Sequence, residues 1–448
     1  MNSDELLTKI QDGIIDTVQV AAPDMLARLV GKRATGDFFA RELANSTTHG
    51  CNYLFAVNME MDPQDGYRLA NWDAGFGDFE MRPDLGATYL LPWEEASALV
   101  FCDFHHHDGK PVEQAPRTIL RRQVERLAAR GLTANVASEL EFYLFNEDYS
   151  AVAQKGFTHL VPSSNYRIDY HILQLGRDEP VMRAIRNQML AAGIPVENSK
   201  GEWGCGQHEI NITYSDPLTT ADRHVVFKHG AKHIAFQHGK SITFMAKPFR
   251  GEAGSSCHIH LSLRNEHGSV FWDDNAHGAS PLFRHFLGGL MKYSRELCLF
   301  FAPTINAYKR YESMSWAPTR QAWATDNRTT GFRVVGHGPG FRVENRMPGA
   351  DANPYLAFAA MIAAGLAGID EKLECGDEYH GNAYVDATLP ELPSTLRDSL
   401  DLFEKSEVAR KSFGAEVVEH YAHAGRLEVR EYDAAVTDWE RARYFERI

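Results

Sequence analysis

Apolar and polar residues alternate with a period of two in four segments of the chain, and this pattern predicts β-strands. The longest segment is Thr133–Phe145, whose even positions are almost all apolar and whose odd positions include Glu139 and Glu141. The other three segments are Gln207–Tyr214, Ser256–Leu263 and Phe341–Arg346. Because side chains two residues apart point to the same side of a strand, each segment is predicted to have one apolar face and one polar face.

The polar faces of these predicted strands carry an unusual set of side chains. Besides Glu139 and Glu141, they contain Glu209, His258, His260, Ser262, Arg342, Glu344 and Arg346. A solvated face of an antiparallel sheet is also polar, but it favours threonine, lysine and serine over paired glutamates, paired histidines and alternating arginine and glutamate. We therefore predict one sheet whose polar face lines a charged cavity, and four unrelated solvated faces remain the alternative.

Shorter strand-like runs separated by glycine and aspartate turns occupy the first ~110 residues and predict a small α+β domain. These runs are Thr17–Val20, Asn52–Val57, Thr88–Leu91 and Ala98–Cys102. The segment His105–Pro116 that follows is polar and rich in turns, so we predict one domain over residues 1–112 and a larger one over residues 113–448. Its three consecutive histidines point to alternate sides of an extended chain and are interpreted as an exposed turn rather than a metal site.

Three helices are also predicted. Arg117–Arg130 has an amphipathic pattern, and Asn353 followed by Pro354 is a typical helix start, with Asn as the N-cap and Pro at the first helical position. The run YLAFAAMIAAGLAGI after Pro354 is nearly all apolar, which predicts a buried helix. The tail, Val429–Ile448, is predicted to be helical, and its aromatic residues are expected to pack on their own domain or on a neighbouring subunit.

Composition narrows the class of partner. The 448 residues are 44% hydrophobic and 24% charged, with a formal net charge of -14. Nucleic acids and anionic membranes select basic surfaces and are therefore not expected as main partners, whereas a local group of arginines can still bind ATP. The six cysteines include no CxxC pair and indicate free thiols in a reducing compartment. No signal-like start and no apolar run of membrane-spanning length is present, so the cytoplasm is the expected location.

The side chains on the predicted polar face indicate a class of chemistry. Carboxylates with imidazole and no thiolate suit Mg²⁺ or Mn²⁺ better than structural zinc. Arginines beside such a site suit phosphate, because a guanidinium binds two phosphate oxygens through parallel hydrogen bonds. Metal, arginine and carboxylate together are typical of phosphoryl transfer. No GxxxxGK[ST] motif is present, so a different nucleotide site is needed.

The chain resembles the glutamine synthetase family over nearly its whole length, and six segments carry the resemblance. They are ASELEFYLF (Ala137–Phe145), ENSKGEWGCGQHEI (Glu197–Ile210), ITFMAKPFRGEAGSSCHIHLSL (Ile242–Leu263), INAYKR (Ile305–Arg310), DNRTTGFR (Asp326–Arg333) and FRVENRMPGADANPYLAFAA (Phe341–Ala360). The N-terminal segments CNYLFAVNMEMDPQDGY and NWDAGFGDFEM and the tail AAVTDWERARYFERI are more similar to the branch of the family that makes γ-glutamylethanolamide and other γ-glutamylamides.

The resemblance implies a fold, an assembly and a reaction. The fold is α+β, with a small N-terminal β-grasp domain and a large catalytic domain built on a curved antiparallel sheet. The assembly is a homo-oligomer, a dodecamer of two stacked hexameric rings whose active sites are shared between neighbours. In the reaction, ATP phosphorylates the γ-carboxylate of L-glutamate, and a primary amine, either ethanolamine or another small organic amine, attacks the γ-glutamyl phosphate. Two or three Mg²⁺ or Mn²⁺ ions take part.

Two other functions remain open at this stage. A true glutamine synthetase would use ammonia, and a structural or regulatory homologue would be catalytically silent. A glycoside hydrolase would explain paired carboxylates but would leave the arginines unexplained.

The resemblance also implies roles for individual residues. One metal ion would bind Glu141, Glu202 and Glu209, and a second would bind Glu139, His258 and Glu344. Glutamate would contact Glu141, Gly254, His258, Arg310 and Arg346. Arg328, Arg333 and Arg342 would bind the phosphates, with Arg328 and Arg310 acting in catalysis. Glu197, Tyr214, His260 and Ser262 would lie toward the nucleoside.

Departures from the family bear on the substrate. Trp316 stands where glutamine synthetases have a flap glutamate that helps to deprotonate ammonium, and the aspartate that attracts ammonium has no clear counterpart in residues 59–78. An indole offers an apolar wall rather than a charge, so the pocket is expected to accept a primary amine with a small organic substituent. Glu312, Asp62 and Asp73 are the candidates for the replacement base. A packing role for Trp316, with the ammonium site elsewhere, remains the alternative.

Overall fold

The computed structural model describes residues 1–275 and 277–448. Among these residues the strands form two main sheets and one short hairpin, and no helix is both long enough and apolar enough to cross a membrane. The predicted α+β class is confirmed. The predicted domain boundary at residue 112 separates the strands of the two main sheets but otherwise stays a prediction, as does the assignment of the first sheet to the β-grasp class.

The first sheet has five strands in the described residues, in the order β2–β1–β5–β4–β3. The strands are β1 Thr17–Pro23, β2 Leu29–Thr35, β3 Thr48–Cys51, β4 Asp78–Leu90 and β5 Ser97–His105. The central pair β1–β5 is parallel, and the other pairs are antiparallel. Three of the four predicted short strands lie in β1, β4 and β5. The fourth prediction was wrong, because Asn52–Phe55 is a 3₁₀ turn that packs Phe55 edge-on against Phe79 and Phe104.

The second sheet has the order β14–β15–β16–β10–β6–β8–β7 in the described part of the chain, with β9 and β11 paired at the sides of β6 and β10. Its strands are β6 Thr133–Phe145, β7 Val196–Gly201, β8 Gln207–Ile212, β9 Ser241–Thr243, β10 Cys257–Asn265, β11 Gly268–Ser269, β14 Trp323–Thr325, β15 Phe332–Val335 and β16 Arg342–Asn345. The hairpin consists of β12 Trp272–Asp273 and β13 Gly278–Ala279. The predicted antiparallel arrangement holds except at the edge, where β14 runs parallel to β15.

The four predicted strands with polar faces are β6, β8, β10 and β16, and they are neighbours in this one sheet. The sheet therefore confirms that their charged faces meet, and it excludes four unrelated solvated faces. In the register of the central strands, Glu139 lies opposite His258 on one side and Asn211 on the other. Glu141 lies opposite Glu209.

Helices cover the apolar side of the second sheet and extend beyond it. Their bounds are α1 Ser3–Gln11, α2 Gly36–Phe38, α3 Pro116–Ala128, α4 Tyr149–Gln154, α5 Ile172–Leu175, α6 Glu179–Ala191, α7 Pro217–Gln237, α8 Pro281–Tyr293, α9 Cys298–Phe301, α10 Ile305–Tyr308, α11 Pro354–Glu371, α12 Leu396–Lys405, α13 Glu407–Phe413, α14 Ala415–Ala434 and α15 Asp438–Tyr444. The helices α3 and α7 pack on β6, and α11 packs on α3, α7 and α8.

The predicted buried helix is α11, and its start is as predicted. The Asn353 side chain accepts a hydrogen bond from the backbone N–H of Tyr355, and Pro354 takes the first helical position. A close crossing joins α11 to α8 at two glycines. A Cβ atom added to Gly289 would lie 2.0 Å from the Ala364 carbonyl oxygen, and one added to Gly368 would lie 2.2 Å from the His285 carbonyl oxygen. Only glycine allows the two backbones to approach this closely.

The tail is helical as predicted, in two pieces that belong to α14 and α15. The chain leaves α14 at Ala435, and Thr437 then begins α15 with a capping box in which its side chain and that of Glu440 each bind the other's backbone N–H. The local hydrogen bonds of this cap compete with continuation of α14. The aromatic residues Trp439 and Phe445 of this tail are exposed in the single chain rather than packed on it.

A buried arginine connects the first sheet to the helices behind the second. Arg117 on α3 is 2% exposed and donates two hydrogen bonds to Asp222 on α7, at 3.0 and 2.7 Å. It also donates to Asp103 on β5 at 2.7 Å and to Asp84 on β4 at 3.0 Å. Tyr355 on α11 donates to Asp222 at 2.5 Å. The hydrogen bonds of Arg117 and Asp222 therefore connect five elements, namely α3, α7, α11, β4 and β5.

Replacing Arg117 with alanine is expected to destabilise the fold strongly, because it leaves the fully buried Asp222 carboxylate without its cation. We expect the apparent free energy of unfolding to fall by about 3–5 kcal/mol. Urea titrations followed by circular dichroism measure this change. The matched control is Arg122→Ala on the same helix, whose ion pair with Glu113 is solvent-exposed and is expected to contribute less than about 1 kcal/mol. Equal losses in the two variants would contradict a central role for Arg117.

Candidate active site

Two adjoining cavities lie on the polar face of the second sheet. The first, of about 780 Å³, is lined by eleven of the residues predicted from the sequence: Glu139, Glu141, Glu202, Glu209, Gly254, His258, Trp316, Arg328, Arg333, Glu344 and Arg346. The second, of about 610 Å³, is lined by Glu197, Tyr214, His260, Ser262 and Arg342. Glu139 and Asn211 line both cavities, so a ligand could extend from one into the other.

Three carboxylates meet in the first cavity. Glu141 comes from β6, Glu209 from β8 and Glu202 from the turn between β7 and β8, and one oxygen from each lies within 4.8 Å of the others. Burial, together with the neighbouring Glu202 carboxylate, raises the pKa of Glu141 to about 8 and that of Glu209 to about 9. Carboxylates crowd in this way where a divalent cation can balance their charge, and an all-oxygen set suits Mg²⁺ or Mn²⁺.

Neighbouring groups fix the orientation of these carboxylates. The Oε2 atom of Glu141 accepts hydrogen bonds from the Ser256 backbone N–H at 2.8 Å and the Gln207 side chain at 3.1 Å. The Asn211 amide donates to Glu209 at 2.9 Å. Such hydrogen bonds hold the carboxylates in place before a cation binds. The residues fit a divalent metal in number, type and orientation.

The second predicted metal cluster is built around Glu139. Its Oε2 atom lies 3.2 Å from His258 Nδ1, and its Oε1 atom lies 2.8 Å from His260 Nε2. Burial opposes ionisation of Glu139, but the two imidazoles outweigh this effect and hold the pKa of Glu139 below its usual range. An oxygen of Glu139, one of Glu344 and a ring nitrogen of His260 also lie within 4.8 Å of one another. The sequence had assigned His260 to the nucleoside side alone.

The two histidines differ in what their second nitrogen contacts. His260 Nδ1 accepts a hydrogen bond from Arg342 Nε at 3.1 Å, so its Nε2 carries the proton and donates to Glu139. His258 Nε2 is buried and has no hydrogen-bond partner in the described part of the chain. Burial, helped by the nearby Arg346, lowers the pKa of His258 to about 4 and keeps its imidazole neutral. His258 Nδ1, which lies 3.2 Å from Glu139 and 3.6 Å from Glu344, fits a metal ligand, and His260 fits a residue that orients Glu139.

Arginines surround Glu344, the third residue of this cluster. Arg346 donates to its Oε1 atom at 2.5 Å and Arg333 to its Oε2 atom at 2.9 Å. Burial opposes ionisation of Glu344, but Arg346 and the two imidazoles hold the pKa of Glu344 down at about 2. Arg328 is exposed within the first cavity. Together these guanidinium groups bring positive charge to the lining of the first cavity.

Two predicted site residues lie outside both cavities. Arg310 is buried, and its guanidinium donates to the backbone oxygens of Arg346 and Met347 and to the Ser256 hydroxyl. Its side chain fills the space beside Gly254, where an added Cβ would lie 2.5 Å from Arg310 Cγ. These contacts give Arg310 a role in supporting the cavity wall. Its predicted contact with glutamate stays a prediction.

Glu312 also lies outside both cavities, because it forms an ion pair with Lys247 at 2.8 Å. Asp62 and Asp73, the other candidates for the base, are exposed in the N-terminal region and do not line either cavity. None of the three candidate bases therefore lines either cavity. The identity of the base stays a prediction.

Trp316 and Trp203 line the first cavity and form an aromatic wall there. Trp316 is 48% exposed, and its ring packs edge-on against Trp203 with centroids 5.9 Å apart. The Arg167 guanidinium lies over the Trp203 ring, 4.3 Å from the ring centroid. The Trp316 carbonyl accepts a hydrogen bond from Arg346 at 3.2 Å, which ties the wall to the arginine cluster.

Sequence reasoning missed several of these residues. Trp203 directly follows Glu202 within a recognised motif, so its position near the metal ligands could have been inferred. Lys200, which pairs with Glu202 and lies 3.7 Å from Asp169, sits two residues before that ligand on β7. Arg167 lies in a segment with no regular pattern, and nothing in the sequence indicated that it would lie over the Trp203 ring.

Comparisons with known proteins agree with this geometry. Residues 113–444 match the family model described as glutamine synthetase, catalytic domain. The chain is 49% identical to the γ-glutamylethanolamide synthetase GlnA4 of Streptomyces coelicolor, over 99% of this chain and 96% of that protein. It is 38% identical to the glutamate–isopropylamine ligase of a Pseudomonas species, over 99% and 98% of the two chains. A solved complex of GmaS with ADP superposes with a TM-score of 0.85 and 28% identity, covering 98% and 99%.

Removing Glu139 or Glu344 is expected to weaken binding of one Mn²⁺ ion per chain by about tenfold or more, because each supplies an oxygen to the second cluster. Titration of Mn²⁺ followed by electron paramagnetic resonance of the free ion measures this loss in Glu139→Ala and Glu344→Ala. Glu266→Ala, in the exposed turn between β10 and β11, is the control and is expected to bind as the unchanged protein does. Undiminished Mn²⁺ binding in both site variants, with folding unaltered by circular dichroism, would contradict the two-cluster assignment.

Proposed function

Because the chain belongs to the glutamine synthetase family, we propose that it is an ATP-dependent ligase that joins the γ-carboxylate of L-glutamate to a small primary organic amine. The observation that carries this proposal is the aromatic wall formed by Trp316 and Trp203 beside the carboxylate and arginine clusters. The clusters supply the chemistry shared by the family, and the wall provides an apolar surface for the amine. Two relatives, named for ligation of ethanolamine and of isopropylamine, support the same substrate class.

The reaction would proceed in two steps. The γ-carboxylate oxygen of glutamate attacks the γ-phosphorus of ATP, the bond to the bridging oxygen breaks, and ADP leaves. The neutral amine then attacks the γ-carbonyl carbon of γ-glutamyl phosphate, inorganic phosphate leaves, and the amine loses a proton to give the γ-glutamylamide. Divalent cations, when bound, neutralise the charge of the phosphate oxygens.

The two cavities are proposed to bind different parts of the substrates. The second cavity, with Tyr214, Ser262 and Glu197, is proposed to hold the nucleoside. Its junction with the first cavity is at Glu139, so the phosphates of a nucleotide placed there would point toward the metal clusters. The GmaS complex with ADP supports a nucleotide as the ligand. We assign Mg²⁺ or Mn²⁺ to the clusters of Glu141, Glu202 and Glu209 and of Glu139, His258 and Glu344.

The arginines are proposed to bind the transferring phosphoryl group and the glutamate. Arg328, exposed in the first cavity, is free to contact a phosphate oxygen with both arms of its planar guanidinium. Arg333 and Arg346 are each held by Glu344, which restricts their movement, so they can stabilise developing charge without first having to reorient. Arg342, on the second cavity, extends this positive surface toward the nucleotide.

The amine is proposed to enter past Trp316. A site for ammonium needs carboxylates that attract the cation and take its proton, and Trp316 supplies neither. An edge-on tryptophan pair instead buries an alkyl substituent and presents a ring face to a cationic nitrogen. A true glutamine synthetase remains the second candidate, because its nucleotide and metal chemistry would be the same. A catalytically silent homologue is disfavoured because every predicted metal ligand is present in the cavities.

The assembly, the domain division and the location are proposed from the family resemblance. We propose a homo-oligomer, a dodecamer of two hexameric rings, in which a neighbouring subunit completes the site. The exposed aromatic residues Trp439 and Phe445 on the tail are suited to such a contact. We also propose a β-grasp domain over residues 1–112, a catalytic domain over residues 113–448, and a cytoplasmic location.

Arg328→Lys keeps the positive charge but loses the planar fork, so it tests whether Arg328 grips the transferring group. We expect kcat for phosphate release to fall about 100-fold or more. The control is Arg320→Lys, because Arg320 binds the Leu389 carbonyl and Glu391 and lines neither cavity. A decrease of only a few-fold in Arg328→Lys, confined to the KM for ATP, would limit Arg328 to nucleotide binding.

A panel of amines tests the proposed function directly. Phosphate release is measured with ATP, Mg²⁺ and glutamate in the presence of ammonia, ethanolamine, isopropylamine, other alkylamines, anilines or polyamines. We expect kcat/KM for at least one organic amine to exceed that for ammonia by a factor of about 100, which corresponds to about 2.7 kcal/mol. Ammonia as the best substrate would make the enzyme a glutamine synthetase. Absence of phosphate release with every amine would favour the silent homologue.

Variants of Trp316 test whether this residue determines the preference for an organic amine. Trp316→Glu introduces a carboxylate and removes the apolar wall, so kcat/KM should shift toward ammonia and away from the preferred amine. Trp316→Phe keeps an aromatic surface and is the matched control, which should retain the preference for the organic amine. If both variants keep the preference of the unchanged enzyme, Trp316 only packs the flap and the amine binds elsewhere.

A further inference from the structure

Glu94, His229 and His233 form a third group of metal-binding side chains, remote from both cavities of the candidate active site. Glu94 lies in the connection between β4 and β5, and the two histidines lie on α7. Its Oε1 atom is 3.7 Å from His229 Nε2 and 3.5 Å from His233 Nδ1. The three candidate ligand atoms all lie within 4.8 Å of one another.

The two histidines are placed by helix geometry. Residues four apart lie on the same face of a helix, so the His-x-x-x-His spacing brings both rings to one side of α7. The same spacing supplies paired imidazole ligands in helical zinc sites. The same His-x-x-x-His spacing also occurs on solvated helices that bind no metal. A metal site therefore requires a further ligand that faces the two rings.

Glu94 is oriented toward the histidines by contacts on its other oxygen. Its Oε2 atom accepts a hydrogen bond from the Gln19 side chain at 2.6 Å and lies 3.4 Å from the Arg33 guanidinium. This leaves Oε1 directed at the imidazoles. Hydrogen bonds of this kind hold a carboxylate ligand in position and are typical of metal sites.

Two of the atoms that face each other in this group have no hydrogen-bond partner in the part of the chain that the structure describes. Both Glu94 Oε1 and His229 Nε2 are buried from solvent and make no hydrogen bond within the described residues. Two ligand atoms each ~2.0–2.1 Å from a tetrahedral zinc ion lie about 3.3 Å apart. The observed separations of 3.5 and 3.7 Å are close to this value. A bound ion would satisfy both atoms with little movement of the side chains.

We propose that Glu94, His229 and His233 bind one divalent transition-metal ion of the Zn²⁺ class. Two imidazoles and one carboxylate select zinc, cobalt or nickel over Mg²⁺, which prefers oxygen ligands and retains its water. Three protein ligands leave a fourth position for water. The ion would be separate from the Mg²⁺ or Mn²⁺ ions assigned to the active site.

The site lies where the first sheet meets α7, so the ion would stabilise this junction. Trp93, adjacent to Glu94, packs over Gly230, where an added Cβ would lie 2.7 Å from the indole. Gln237 at the end of α7 donates to the Trp93 carbonyl at 2.8 Å. On its other side α7 contacts β6, through the hydrogen bond between His224 and Ser138. The ion would add a cross-link between the first sheet and the helix that supports the catalytic strand.

Metal stoichiometry tests this proposal. The full-length protein is equilibrated with Zn²⁺ in excess Mg²⁺, freed of unbound metal, and its zinc content is measured by inductively coupled plasma mass spectrometry. We expect the unchanged protein to hold one more zinc ion per chain than His233→Ala. Alanine favours a helix, so this variant is expected to fold. The matched control is His238→Ala, an exposed histidine at the end of the same helix, and it should retain the full zinc content.

Two further measurements distinguish a built site from adventitious binding. Co²⁺ bound by two imidazoles and a carboxylate should give visible absorption bands that are lost in both His233→Ala and Glu94→Gln. Zn²⁺ should raise the Tm of the unchanged protein and of His238→Ala, but not that of His233→Ala. Equal zinc content, equal Co²⁺ spectra and equal Tm shifts across these proteins would overturn the proposal.

Discussion

Strand β6 has paired neighbours on both sides, and the register of these pairs determines which charged groups meet in the cavity. Glu139 lies across from His258 on β10 and from Asn211 on β8, while Glu141 lies across from Glu209. A shift of one residue in either pairing would turn the glutamates toward the helices and the apolar residues toward the cavity. The apolar face of β6, buried under α3 and α7, opposes such a shift, because it would expose that face to water. Packing of the apolar face of β6 against the helices therefore determines which side chains line the cavity.

The same register concentrates charge that would otherwise destabilise the fold. Glu141 and Glu209 are buried beside Glu202, and the pKa values of Glu141 and Glu209 are raised for this reason. Glu139 and Glu344, by contrast, are held ionised by imidazole and guanidinium groups. In the first cluster a bound divalent cation would allow the crowded carboxylates to ionise together, whereas the second cluster is largely compensated by protein cations. This difference is expected where one site must attract a divalent ion strongly and the other shares its ion with a phosphate.

The proposed specificity for the amine and the support of the fold involve different parts of the same framework. The sheet and its carboxylate clusters are features that a glutamine synthetase would share, whereas Trp316 and Trp203 line the cavity with uncharged rings. Behind the sheet, α7 connects the catalytic strand β6 with the first sheet through Asp222 and Arg117. The group of Glu94, His229 and His233 lies on this same helix, so metal binding there would act on the scaffold rather than on the reaction.

The sequence alone determined much of the architecture. Alternation predicted β6 at its observed bounds, and cap residues predicted the start of α11, because both signals are local and reflect one element buried on one side. It also predicted eleven residues of the first cavity, through the polar face of each strand and the family motifs. Local signals failed at Asn52–Phe55, where burial of Phe55 against remote aromatic residues favours a turn over a strand.

Only the tertiary structure decided which remote groups come into contact. It placed His260 on Glu139, left Arg310 and Glu312 outside the cavity, brought Trp203 to the cavity wall and placed Arg167 over the Trp203 ring. It also brought Glu94 to the two histidines of α7, more than a hundred residues away in the chain. These contacts depend on the packing of separate elements. Periodicity and capping report only the preferences of one element and its near neighbours, so they carry no information about such distances.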